Sequence, residues 1–198
     1  MSWPEAVELK GRHAWLRLLS QADAPALAQA VQEGELWKLW FTRIPAPDEM
    51  EAEIARRLGL YDKGSMTPYV ILDAQGTPVG MTTYMNVDPV NRRVEIGSTW
   101  IARRVQRSPL NTECKFLLLQ HAFEALDCMA VEFRTHRLNV NSRRAIERLG
   151  AQLDGILRHH QRLSDGSIRD TAVYSITAPE WPTVKRHLQS QLQSRMNA

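Results

Sequence analysis

Apolar positions in this chain recur at two periods, and the chain switches between them repeatedly. Val7–Lys10 and Trp15–Leu18 are short apolar or alternating runs parted by Gly11 and Arg12, which predicts a hairpin or two consecutive strands. Ser20 then reads as a helix N-cap, with Ala26, Leu27, Ala30 and Val31 at helical spacing behind it. Trp37, Trp40 and Phe41 stand at i, i+3 and i+4, the spacing of one helical face. Pro45 and Pro47 end that element. Asp48 is the expected N-cap of the next helix, with Glu49, Glu51 and Glu53 early in it and Arg56 and Arg57 toward its other end, as the helix dipole favours. The stretch from Gly59 to Gly64 is expected to return the chain toward a sheet.

Strand periodicity then takes over. Runs from Pro68 to Asp73 and from Pro78 to Val87 flank a polar turn, a hairpin signature. In the second run Val79, Met81, Thr83, Met85 and Val87 share one face, and Thr82, Tyr84 and Asn86 the other. After a turn at 88–91, Arg93–Ile101 alternates again, with Val94, Ile96, Ser98 and Trp100 against Glu95, Gly97, Thr99 and Ile101. Phe116, Leu119, Phe123 and Leu126 line one face of a helix running from about Pro109 to Leu126. Val131, Phe133 and Thr135 alternate on another strand. Ser142–Leu149 reads as a short helix closed by Gly150. Leu153–Leu163 and Ile168–Ile176 form a long hairpin around Asp165–Gly166, a strong turn pair. Pro179–Pro182 opens a polar C-terminal helix. No internal repeat or linker interrupts this order. It predicts one α/β domain with a mixed sheet over residues 1–198, its core spanning about 10–180 and a terminal helix 180–198.

Composition changes this picture little. Of 198 residues, 43% are hydrophobic and 24% charged, which is ordinary for a globular chain. No apolar run approaches the roughly 20 residues of a membrane span, and the N-terminus has no hydrophobic signal core, so a cytoplasmic protein is expected. Cys114 and Cys128 lack metal or disulfide spacing and read as small apolar core residues. Charge changes more. The net charge is only +3, but arginines cluster at 103, 104 and 107, at 134 and 137, and at 143, 144 and 148. The clusters flank two polar junctions, 106–112 and 139–142, where strands hand over to helices and free backbone N–H groups can meet an anion. They are either a solvated basic face or the receptor of an anionic partner. His159 and His160 near Asp154 and Asp165 do not make a metal site, because strand neighbours point to opposite faces.

Particular residues narrow the reading. They are Glu95-Ile-Gly97 followed by Trp100-Ile, Thr112-Glu113 early in the long helix, His121-Ala-Phe, Asn139-x-x-Ser142 and Glu147-Arg-Leu-Gly150. Asp154-Gly-Ile-Leu-Arg158, Asp165-Gly and Asp170-Thr-Ala-Val-Tyr174-Ser follow. In this order, over roughly residues 10–180, they resemble the GNAT (Gcn5-related) N-acetyltransferases, in the branch similar to the ribosomal-protein N-acetyltransferases of the RimJ and RimL kind. The resemblance implies a mixed, mostly antiparallel sheet with flanking helices. It also implies a splay between the sheet's fourth and fifth strands, the one bearing Glu95 and the one over 131–136. Acetyl-CoA is the implied cofactor, and transfer of its acetyl group to an amine the implied reaction. The pantetheine arm would bond the backbone of Thr99, Trp100 and Ile101, and the diphosphate would sit at the start of the long helix. There the sequence departs from the family. Arg107 and Pro109 replace glycines of the usual phosphate loop, although glycine reaches positive φ most easily and proline removes an N–H. Side chains of Arg107, Ser108, Asn111 and Thr112 are the substitute donors, with Arg148 nearby and Ser108 as N-cap.

The implied reaction needs a base for the amine, a donor for the acyl oxygen and a proton for the leaving thiolate. A backbone N–H at Thr99 or Trp100 suits the oxygen. Glu95 is the candidate base or else a structural carboxylate paired with Arg93 or a neighbouring strand. His160 is the second candidate base, or a surface-strand histidine. Ser142 is the candidate proton donor to sulfur, or the N-cap of its short helix. Asn139 holds the pantetheine or closes an Asx turn. Trp37, Trp40 and Tyr84 are candidate walls of the acceptor pocket, or core. The acceptor is a primary amine of a protein N-terminus, an amino acid or a small molecule, with no nucleic-acid or membrane partner; the resemblance also admits a homodimer. Two rival functions remain at this point. One is a GNAT-like CoA sensor or scaffold without turnover. The other is a nucleic-acid-binding module, which lacks aromatics interleaved with its arginines.

Overall fold

The structure is a computed structural model and describes residues 3–163 and 165–194. The chain runs β1 (Leu9–Lys10), β2 (Trp15–Leu18), α1 (Ala24–Gln32), α2 (Met50–Asp62), β3 (Met66–Leu72), β4 (Pro78–Asp88) and β5 (Arg93–Ile101). Then come α3 (Leu110–Gln120), β6 (Ala130–His136), α4 (Val140–Glu147), β7 (Gln152–Arg162), β8 (Ile168–Thr177) and α5 (Trp181–Ser194). All eight strands form one sheet in the order β1-β2-β3-β4-β5-β6-β8-β7. Every neighbouring pair is antiparallel except β5 and β6. This is the mixed α/β architecture the element order predicts.

The parallel pair is short. Arg93, Val94 and Glu95 register with Ala130, Val131 and Glu132, and no pairing continues beyond them. From Ile96 and Phe133 onward the two strands separate, β6 following β8 and β5 following β4. The expected splay is therefore between β5 and β6, once the short first hairpin is counted as two strands.

Helices cover both faces. The α1 and α2 pair packs on β3 and β4. On the opposite face Tyr84 of β4 donates to the Leu118 carbonyl of α3 at 2.6 Å. Phe116 and Phe123 pack on Trp181 of α5, with ring centroids 6.2 and 5.3 Å apart. Between the layers lie fully buried Leu16, Leu27, Ile54, Val70, Met81, Leu118 and Tyr174. The last turn after α3 widens to a π geometry over His121–Ala125, and Leu126 N–H reaches back to the His121 carbonyl.

Local signals held at several points. Ser20 caps its turn, its hydroxyl accepting from Ala22 N–H, and Asp23 completes a capping box. Gly150 follows α4 with φ +98, and Gly166 turns the last hairpin with φ +83. Ser164, part of that expected turn, lies outside the described residues.

Three expectations need correction. The aromatic stretch is not a helix beyond one 3₁₀ turn at Leu36–Lys38. Gly34 and Glu35, with φ of 84 and 50, break helical continuity before it, so Trp37, Trp40 and Phe41 do not share a helical face. Asp48 does not cap α2; Pro47–Glu49 is a 3₁₀ turn in which the Glu49 carboxylate accepts from Ala46 N–H. Gly59 lies inside α2, which continues to Asp62.

Candidate active site

The splay opens into a cleft of about 520 Å³. One wall is β5 from Ile96 to Ile101, the other is Phe133–Thr135 of β6 with Asn139, Ser142 and Ile146 at α4. Asn111 and Lys115 of α3 form its base, and Leu36, Phe41 and Ile44 close one side. Four cationic residues, Arg43, Arg103, Lys115 and Arg134, line it, and no aspartate or glutamate does among the described residues.

Strand β5 is not regular along this wall. Met81 registers with Trp100 and Thr83 with Gly97, so Ser98 and Thr99 together face the single residue Thr82. This is a β-bulge, and Ser98 takes the left-handed φ of 46 it requires. The bulge corrects the alternation expected from sequence. Thr99 rather than Ser98 faces α3, its hydroxyl 2.7 Å from the Thr82 hydroxyl. Past Glu95 this edge of β5 has no strand partner, so backbone groups between Gly97 and Ile101 open onto the cleft.

Glu95 sits behind that wall. It is 5% exposed, accepts from Asn86 Nδ2 at 2.7 Å and lies 3.5 Å from Arg134. Burial pushes its carboxyl above the ordinary carboxylate range, against the opposing pull of Asn86 and Arg134. A β-carbon placed on Gly97 would stand 2.8 Å from a Glu95 carboxylate oxygen. Glu95 does not itself line the cleft; Gly97, against which its carboxylate packs, does. Arg93 is not its partner; Arg93 pairs with Glu132.

At α4 the cap is Asn139, whose Oδ1 accepts from Ser142 N–H at 3.1 Å. This corrects the expectation that Ser142 caps the helix, which begins two residues earlier. The Ser142 hydroxyl is left without a partner among the described residues, and the residue lines the cleft.

The junction before α3 solves its lack of glycine directly. Arg107 itself adopts φ 62, the left-handed conformation a glycine would take. The Ser108 hydroxyl accepts from Leu110 N–H at 3.3 Å and donates to the Val105 carbonyl at 2.6 Å. Its hydroxyl is thus engaged within the turn, and the N-cap position of α3 falls on Pro109 rather than on Ser108 as expected. Pro109 has no N–H to offer, and its carbonyl takes that of Glu113. The backbone N–H groups of Asn111 and Thr112 keep no partner among the described residues.

Several expected site residues lie elsewhere. Tyr84 is fully buried between Tyr69 and α3 and faces no pocket, because β4 is an interior strand covered on both sides. The Thr112 side chain is also fully buried, with Arg148 donating to its hydroxyl at 3.3 Å. Trp37 packs on the core, and Trp40 covers His136 in an edge contact with centroids 5.2 Å apart; neither lines the cleft, whereas Phe41 does. His160 is on β7, the sheet edge beyond β8, and its Nδ1 pairs with Thr171 Oγ1 at 3.0 Å, outside the cleft. Trp100 and Ile101 do line it.

Sequence reasoning missed three residues that shape the site. Lys115 is only 6% exposed, with Nζ 2.7 Å from Thr99 Oγ1 and 3.1 Å from Thr82 Oγ1. Its signal was a lone charge inside the apolar run Cys114–Leu119. Arg57, 2% exposed, donates to the Ser98 carbonyl. Asn86 holds Glu95. Glu113, by contrast, belongs to the scaffold, since its carboxylate accepts from the backbone N–H groups of Arg12, His13 and Ala14 in the β1–β2 turn.

Comparison with known proteins agrees with this geometry. Residues 13–152 match the acetyltransferase (GNAT) domain family. The chain is 29% identical over 176 residues to YdaF of Bacillus subtilis (strain 168), whose name places it provisionally among ribosomal N-acetyltransferases; the match covers 85% of this chain and 93% of YdaF. A GCN5-related N-acetyltransferase from Brucella melitensis is similar in structure, with a TM-score of 0.86, 30% identity and coverage of 96% and 86% of the two chains. Mycobacterium smegmatis RimJ in complex with CoA-disulfide shares the fold at a TM-score of 0.79 and 23% identity, covering 96% of each chain. The chain belongs to the GNAT acetyltransferase family, whose general reaction is transfer of an acetyl group to an amine.

Proposed function

We propose that the protein transfers the acetyl group of acetyl-CoA to a primary amine, with the acyl donor in the β5–β6 cleft and the amine entering from the Glu95 side. The observation carrying this reading is the cleft itself, lined by four cationic residues without an acid and opening onto unpaired β5 backbone. Those features fit a long, anionic, amide-bearing donor better than a neutral or cationic one.

Acetyl-CoA, when bound, supplies an acetyl group activated as a thioester. The chain does the rest. Backbone groups at Thr99, Trp100 and Ile101 hold the thioester end and offer an N–H to the acyl oxygen. Glu95, held by Asn86 and raised by burial, takes the amine proton directly or through water. The Ser142 hydroxyl keeps a proton at the α4 side of the cleft for the leaving sulfur. Asn139 fixes the turn that presents Ser142. Arg103 and the first turn of α3 face the anionic end of the donor.

Isothermal calorimetry with CoA tests the donor half, with micromolar binding expected. A thiol-release screen of free amino acids, polyamines and peptides carrying free N-termini tests the acceptor half. Ribosomal-protein N-terminal peptides belong in it, given the name carried by YdaF. No saturable CoA binding would sink the reading. Binding without thiol release from any amine would replace it with a CoA sensor.

A further inference from the structure

We propose that Arg169 and His136 form a carboxylate receptor on the acceptor side of the cleft, so that the preferred amine belongs to a molecule that also carries a carboxylate. The proposal rests on the acetyl-transfer reading and deepens it. It starts from one face of the sheet. Strand alternation puts Glu132, Arg134 and His136 of β6 on that face. Glu95 joins them, registered with Glu132 and 3.5 Å from Arg134. Thr171 of β8 stands opposite His136. Arg169, two residues along from Thr171, donates through Nε to its hydroxyl at 2.9 Å. The acids here are already matched, Glu132 with Arg93 and Arg134, and Glu95 with Asn86 and Arg134. Arg169 is the cation left over. It is half-buried, pairs with no carboxylate, and its two terminal nitrogens have no partner among the described residues.

A second unmet donor stands on the same face. His136 is 4% exposed, and its Nδ1 accepts from Leu138 N–H at 3.0 Å. Burial, then the charge of Arg169, holds its pKa below the ordinary histidine value. The ring is therefore neutral at pH 7, with its hydrogen on Nε2. That Nε2 is buried without a hydrogen-bond partner among the described residues. Trp40, itself 54% exposed, covers the ring. An unpaired guanidinium fork and a nearby N–H call for an anion with two oxygens, and a carboxylate matches that geometry. Glu132, registered with Glu95, and His136 are four residues apart, about 13 Å along the strand. An α-amino acid, whose amine and carboxylate share one carbon, spans less. The spacing favours an acidic side chain just behind a peptide N-terminus.

The experiment uses the full chain as wild type, R169Q and H136N. In R169Q the Thr171 hydroxyl keeps His160 Nδ1 as a partner at 3.0 Å, and in H136N the new side-chain oxygen can accept from Leu138 N–H. The probes are C-terminally amidated peptides with a free N-terminus, paired as glutamate or glutamine at the second or third residue, and the pair serine and serinamide. Thiol release from acetyl-CoA gives kcat/KM, and calorimetry in the presence of CoA gives affinity. Melting curves check the fold, and H136N carries the test if R169Q does not fold. Glutamate peptides are expected to exceed their glutamine partners roughly tenfold in both measurements, the factor for one charged hydrogen bond. R169Q should erase that ratio and H136N should reduce it. Serine exceeding serinamide instead, again through Arg169, would keep the receptor and assign it to free amino acids. Equal binding of both members of every pair by wild type overturns the proposal, as does a wild-type ratio in folded R169Q or H136N. If amines are acetylated without any such preference, acetyl transfer stands and the receptor falls. If glutamate peptides bind through Arg169 without thiol release from any amine, the receptor stands and the transfer reading falls.

Discussion

Arg57 of α2 reaches across the sheet and donates through both terminal nitrogens to the carbonyl of Ser98, each at 3.3 Å. Ser98 is the left-handed residue of the β5 bulge, so the arginine clamps the bulge through its backbone. Arg57 is held in turn by Glu53 at 2.8 Å. Replacing Arg57 by methionine leaves Glu53 with Arg56 alone and frees the bulge. The expected result is a loss of roughly 3 kcal/mol in denaturant unfolding, in the range for a broken buried pair. A tenfold or greater rise in KM for the acyl donor should accompany it. An unchanged KM would separate the clamp from the site.

The same pair sets an acid limit. Burial raises the Glu53 carboxyl, but hydrogen bonds from Arg56 and Arg57 and their charges outweigh it and lower its pKa to about 2. A depressed carboxylate contributes stability that is present above its unfolded pKa and lost as pH falls through the folded one. The window therefore runs from about pH 4.5 down to about 2. The shift corresponds to about 3 kcal/mol at most. E53Q should flatten the stability curve across that window, read by urea unfolding at stepped pH.

Glu95 behaves oppositely. Its pKa is raised by burial, so the folded state binds the proton more tightly. Stability should fall as pH rises from the ordinary carboxylate range through the raised value, while activity should climb through the same window as the base ionises. E95Q should lower kcat at least 100-fold, abolish the acid limb of the rate profile and leave CoA affinity within twofold. A surviving acid limb would assign the base elsewhere.

Ser142 and Asn139 separate chemistry from capping. S142A should lower kcat about 100-fold, the low end of the usual contribution of a general acid, without moving the melting temperature. N139A should cost about 1 kcal/mol of stability because it removes the α4 cap. If S142A only destabilises the protein, its hydroxyl has no part in the reaction.

Two glycines give a contrast in stability. A β-carbon at Gly80 would lie 2.1 Å from the Trp100 carbonyl oxygen, a backbone atom that cannot give way. G80A should cost 3 kcal/mol or more, on the order of other severe strain in packed interiors, and disturb the β5 wall. Gly59 meets nothing within 4 Å in the middle of α2. G59A should stabilise by about 0.5–1 kcal/mol through helix propensity. Thermal melts compare both.

Most of the framework was legible in the chain because its signals are local. The Asp165–Gly166 turn, the Gly150 stop and the Ser20 cap each follow from the conformations those residues tolerate. Illegible features depend on partners far apart in sequence. The Ser98 bulge adds one residue to a strand whose alternation looks unbroken, and its clamp comes from 41 positions away. Lys115 is a lone charge in an apolar run, and only the folding of β4 and β5 shows what it bonds. Trp37, Trp40 and Phe41 misled for a related reason: their spacing is helical, but left-handed Gly34 and Glu35 redirect the backbone first.

The turn that leads into α3 has a thermodynamic character of its own. Arg107 occupies its left-handed conformation, Ser108 is bonded on both sides and Pro109 cannot rotate freely about φ. A glycine-rich turn would surrender its freedom each time a ligand arrived. Here that entropy is surrendered once, when the chain folds. Calorimetry should accordingly find a smaller entropic penalty for CoA binding than in a variant with glycine at both 107 and 109. The turn would then be a rigid receptor, favouring ligands that already have its shape.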